Sequence, residues 1–73
     1  LQMAELDYAQ GRYQSARHYL ERHFKVRGYT PGSLLLAARV ERKLGARKRA
    51  RTYEQLLRKK YPDAPEVLYL TGS

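Results

Sequence analysis

The sequence predicts an all-α fold made of helical hairpins repeated along the chain. Two observations predict it. Laid on itself so that Gly11 falls on Gly45, the chain gives ten identities in 39 overlapped positions, among them Ala16/Ala50 and Pro31/Pro65. Within each unit the apolar residues recur at three- and four-residue spacing, the period of a helix with one buried stripe. The matched glycines, prolines and alanines have backbone or packing roles, so the repeat is structural and not only compositional.

Taken in order, residues 1–10 read as the C-terminal part of a first helix A. The chain begins at Leu1, in the middle of that helix, and so reads as a piece of a longer protein. Gly11 supplies the turn. Helix B follows from about Arg12 to Val26, with Tyr13, Ala16, Tyr19, Leu20 and His23 expected to face inward. His23 is expected to be partly buried and hydrogen-bonded to a neighbour. Arg27-Gly28-Tyr29-Thr30 forms the loop. The second unit opens with Thr30 as N-cap and Pro31 at the first helical position. Its helix A spans 31–44, with Leu34, Ala37, Ala38 and Leu44 near one stripe. Gly45 takes the left-handed turn position, and helix B spans 46–60 with Ala50, Tyr53, Leu56 and Leu57 inward. Tyr61-Pro62 ends it, because a residue before proline is pushed out of the α region. Pro65-Glu66 then starts a capping helix with Val67, Leu68 and Leu70 apolar. One domain is expected: repeat one at 1–30, repeat two at 31–64 and the cap at 65–73.

The repeat period, with small residues at these places, resembles the tetratricopeptide-repeat family across essentially the whole chain. The resemblance implies a right-handed α-α superhelix of two repeats plus a C-terminal capping helix. Three places depart from the general motif: Leu34 stands where a large aromatic is usual, Asp7 and Glu41 where another is, and Glu54 where a large apolar residue is. Asp7 and Glu41 are candidates to pair with helix-B arginines such as Arg17 and Arg51, the alternative being placement at the surface. More narrowly, Ser33-Leu34-Leu35-Leu36-Ala37-Ala38-Arg39-Val40, then Leu44-Gly45, Ala50, Tyr53, Leu57-Arg58 and Tyr61-Pro62, is similar to the last repeats of type IV pilus biogenesis pilotins. Tyr8, the Gly11–Tyr13 turn and Ala16-Arg17 fit the same pattern. That likeness implies a periplasmic lipoprotein on the outer membrane that helps the pilus secretin reach that membrane and assemble. The lipid anchor would lie upstream of this sequence. A generic adaptor of the same repeat class would instead be cytoplasmic.

Function classes separate on composition. The 73 residues carry 15 Lys and Arg against seven Asp and Glu, and no cysteine. There is no thiol nucleophile, no Cys-based zinc site and no Gly-rich phosphate loop, and His18 and His23 are spaced five apart where a helical metal pair needs three or four. No enzyme activity, cofactor, metal or small-molecule substrate is expected. No apolar run is long enough to span a bilayer. Ten of the bases fall within residues 39–60, with only Glu41 and Glu54 against them. This block opens the alternative of a basic module for nucleic acid or anionic lipid. Its ordinary reading is a solvated helical face, and it lacks the interleaved exposed aromatics that stack on single strands. The chain contains no asparagine, which excludes the lysine/asparagine clamp by which some tetratricopeptide co-chaperones grip acidic tails. The expected function is therefore a protein–protein interaction scaffold. Its partner surface in the repeat register is Leu1, Glu5 and Tyr8 from the first unit, Leu35, Leu36, Arg39 and Arg42 from the second, and Tyr69 and Leu70 from the cap. The expected occupant is an amphipathic protein segment, such as one from a secretin.

Overall fold

Residues 2–70 are described by a computed structural model, and Leu1 and residues 71–73 lie outside it. Four α-helices follow one another: α1 (Gln2–Ala9), α2 (Tyr13–Arg27), α3 (Pro31–Lys43) and α4 (Arg47–Lys60), then a 3₁₀ segment (Pro65–Leu70). No strand occurs among the described residues.

The boundaries have local causes. Thr30 caps α3 reciprocally: its hydroxyl oxygen accepts from the Ser33 N–H at 3.2 Å, and its own N–H donates to Ser33 Oγ at 2.9 Å. Pro31 sits just inside, where its missing N–H costs nothing. The α1–α2 and α3–α4 turns are built alike. Gly11 has φ +80° and Gly45 φ +78°. The Gly11 N–H donates to Tyr8 O and the Arg12 N–H to Asp7 O; one repeat later, the Gly45 N–H donates to Arg42 O and the Ala46 N–H to Glu41 O, all within 2.7–3.1 Å. These are paired Schellman motifs, which satisfy the last carbonyls of each helix and require a left-handed residue.

Each helix packs on the next in sequence, and the 3₁₀ segment packs on α3 and α4. One apolar cluster joins Ala4, Ala16, Leu20, Ala37 and Val40 across α1, α2 and α3. A second joins Leu34, Leu57 and Leu70. Ala16 and Ala50, which hold the same place in the two repeats, are both fully buried; at such contacts a larger side chain would hold the helix axes apart.

One expected inward placement and one expected hydrogen bond are corrected. Tyr19 is exposed, its ring edge-on to His18, because it lies one position off the Ala16–Leu20 stripe. His23 is half-buried as expected, but its Nε2 is buried with no hydrogen-bond partner. Its ring centroid lies 6.1 Å from that of Phe24, the two planes steeply inclined. The cap also differs in kind. Its described part is a 3₁₀ turn of six residues, and Leu68 points to solvent while Leu70 is buried.

Candidate functional site

Three of the buried polar residues are carboxylates, and each has its own partner. Glu41, only 2% exposed, receives a fork from Arg17: Nε to Oε2 at 2.9 Å and Nη2 to Oε1. Arg49 of α4 stands 4.0 Å from the same carboxylate and 3.4 Å from Glu21 of α2. The Glu41 carboxylate holds the Arg17 guanidinium above its ordinary pKa, the hydrogen bond outweighing partial burial. Glu54 is gripped by Nε and Nη2 of Arg42 across the α3–α4 contact. Asp7 accepts from Ser15 Oγ at 2.6 Å. The motif departures at positions 7, 41 and 54 are therefore compensated inside the fold. Of the two arginines expected to meet these acids, Arg17 does so; Arg51 is exposed.

With the acids tied up internally, α1, α3 and the 3₁₀ segment leave an open groove of about 410 Å³ between them. Its walls include Glu5, Leu35, Leu36, Arg39, Glu66 and Tyr69. Leu35 and Leu36 are half-buried, each packed against one of the two core clusters with an edge toward the groove. Three consecutive leucines on one helix cannot all point into the core; Leu34 takes the core and its two successors take the flanks. Arg39 places its guanidinium carbon 5.9 Å from the centroid of the largely exposed Tyr69 ring, a cation–π contact. The lining thus combines two leucines and a tyrosine ring with one cation, Arg39, and two acids, Glu5 and Glu66.

Of the sequence-derived surface, Glu5, Leu35, Leu36, Arg39 and Tyr69 come together in this groove. Tyr8 packs instead against the first core cluster, edge-on to Tyr13 at 5.6 Å. Arg42 is occupied by Glu54. Leu70 is buried beside Leu34 and Leu57. Leu1 lies outside the described residues. Glu66, Gly32 and Pro65 are groove residues that the sequence reading misses; the pattern shows Pro65-Glu66 only as a helix start.

A second concavity shares no residue with the groove. There the loop before α3 and the outer face of α4 enclose a shallower hollow of about 280 Å³, lined by Tyr29, Lys48, Arg49, Thr52, Tyr53 and Leu56. Phe24 lies behind it, 4.8 Å from the Tyr29 ring and 5.6 Å from the Tyr53 ring. The Tyr61 hydroxyl donates to the Tyr29 carbonyl at 2.8 Å and anchors the loop. Burial, reinforced by the nearby Glu41 charge, pushes the Tyr53 phenol above its ordinary pKa. Among the described residues, no cluster of three His, Cys, Asp or Glu side chains forms and no helix is long and apolar enough to cross a membrane. No protein-family model matches the chain, and no curated protein or solved structure does.

Proposed function

We propose that this chain is a protein-interaction module of the tetratricopeptide type whose partner segment lies in the groove between α1, α3 and the 3₁₀ segment. Support for the repeat arrangement comes from the two Schellman turns, which use the same backbone bonds at matching places in the two repeats, and from the packing of each helix on the next in sequence. The observation that carries the functional reading is the groove itself, whose lining brings together Leu35, Leu36, the exposed Tyr69 ring, Arg39 and the acids Glu5 and Glu66. Such a lining suits an amphipathic helix or extended segment that lays apolar anchors on Leu35 and Leu36. Arg39 then sets the register of an acidic side chain on the partner and affects the association rate more than the affinity.

The likeness of the Ser33–Val40 run and its followers to pilotins makes a secretin segment the first partner to try, and a periplasmic, outer-membrane setting the accompanying proposal. The test is a titration with that segment. Leu35→Asp and Tyr69→Ala are expected to weaken binding at least tenfold with helicity intact, because each truncates an anchor. Charge reversal of Lys48, Lys59 and Lys60, none of which lines the groove, is expected to leave it unchanged. Loss of binding from that reversal alone would refute the groove.

A further inference from the structure

The outer face of α4 is not explained by the groove. The helix carries seven cations, and its single acid, Glu54, is buried. Arg49 is engaged by Glu21, and Arg58 donates to the Leu70 carbonyl. Lys48, Lys59 and Lys60 are exposed and form no ion pair among the described residues. Their placement has a pattern. Lys48, Thr52, Leu56 and Lys59/Lys60 recur at three- and four-residue spacing, so they form one stripe about 18 Å long on the helix surface. The ring-floored hollow lies in the middle of that stripe.

We propose that this face binds single-stranded nucleic acid, a base resting against Tyr29 and Tyr53 in the hollow while Lys48, Lys59 and Lys60 hold the phosphates on either side. A polyanion is the complement of a helix face with unpaired cations and no exposed acid. The shape of the apolar part selects among polyanions. A bilayer is met by apolar groups that protrude beside cations, whereas here Tyr53 and Leu56 are recessed at the floor of a hollow. A recess admits something that projects from its own backbone, as an unstacked base does, and base-on-aromatic stacking tolerates any sequence. Duplex bases do not project. An acidic peptide offers charge but no flat ring to fill the space between Tyr29 and Tyr53.

The test uses the chain as it stands and fluorescence anisotropy of a labelled ten-nucleotide oligothymidine. Binding is expected at about 50 mM salt and is expected to weaken roughly 20- to 50-fold by about 200 mM, the dependence for three to four phosphates on a single strand. An abasic strand of equal length keeps the phosphates and removes the bases, and should bind about tenfold more weakly. Lys48→Glu/Lys59→Glu/Lys60→Glu should lose at least tenfold with an unchanged far-ultraviolet spectrum, while Tyr69→Ala in the groove should lose nothing. Equal affinity for the abasic strand or for polyglutamate would reduce the face to a nonspecific cation surface and overturn the proposal. So would no binding at about 50 mM salt, tighter binding to anionic phospholipid vesicles than to the strand, or a triple variant that binds like the parent. None of these results bears on the groove, which is lined by different residues.

Discussion

At the scale of single residues, the fold depends on where its carboxylates go. Glu41 brings a charge to a place with almost no solvent, and only the Arg17 fork, with Arg49 behind it, makes that tolerable. Removing one partner of such a pair strands the other. Arg17→Met is expected to cost roughly 3 kcal/mol, the lower end for a broken buried pair because Arg17 itself is partly in water. Arg17→Met/Glu41→Leu is expected to regain most of the loss, since well-packed apolar replacements of buried ion pairs are often neutral. Urea melts of the two variants check this; a double variant no better than the single one would show that Glu41 matters by its shape. Sequence offers Asp7 and Glu41 the helix-B arginines Arg17 and Arg51 without saying which acid meets which; the fold gives Glu41 to Arg17 and Asp7 to Ser15. Sequence cannot name Arg42 and Glu54. Position 54 stands where the repeat wants an apolar residue, and nothing in a linear pattern says that a cation from the preceding helix fills the same space. The pattern therefore puts Arg42 on the partner surface, where the fold does not.

At the scale of elements, the two glycine turns set the angle at which α1 meets α2 and α3 meets α4. A Cβ at position 45 would meet open space, so the cost of substitution there is purely conformational. Gly45→Ala is expected to destabilise by about 1–2 kcal/mol, the penalty of a left-handed residue with a side chain. Ala50→Leu, in contrast, is expected to cost about 1–3 kcal/mol by overpacking a site with no exposed surface. Thermal unfolding of both variants measures this, and an unchanged midpoint for either would contradict the hairpin it belongs to. These features are legible in sequence because each is local: Thr30, Pro31 and Ser33 cap within a single turn, and Gly45 terminates at a single position. The cap is less legible. An α-helical reading puts Tyr69 and Leu70 side by side on a groove. A 3₁₀ segment has about three residues per turn, so Val67 and Leu70 share one face and both join the second core cluster, leaving Tyr69 to the groove. Periodicity over so short a segment cannot separate the two helix types.

At the scale of the whole molecule, the two concavities have different linings. The groove between α1, α3 and the 3₁₀ segment has leucines, the Tyr69 ring, one cation and two acids, whereas the hollow on α4 sets Lys48 and Arg49 beside two tyrosines. A radius of gyration of 11.2 Å is about what a compact chain of this length has, so two hairpins and a cap make a globule with both faces within reach of solvent. Much of the net charge of +8 lies on α4, which carries seven cations against one acid, and the two proposed partners use different residues. How the two hairpins face one another rests on long-range contacts such as Phe24–Tyr53 and Glu21–Arg49. That is why the aromatic hollow is not visible in the sequence, which shows Tyr53 within a basic run but not that Phe24 and Tyr29 come to lie beside it.

The Arg17–Glu41 fork also has a consequence for the order of events in folding. Each Schellman turn closes with bonds between residues three and five apart, so either hairpin can form early with little loop entropy to overcome, as in other helical chains of low contact order. The fork joins two different hairpins and acquires its geometry only when α2 and α3 have docked. It belongs on the native side of the barrier. Stopped-flow chevrons of Arg17→Met should accordingly show a steeply faster unfolding limb, carrying most of the lost stability, beside a nearly unchanged refolding limb. A refolding limb slowed by the full amount would place the docking of α2 on α3 in the nucleus instead. The ion pair thus acts as a latch: it contributes little to how quickly the hairpins find one another and much to how long they stay together.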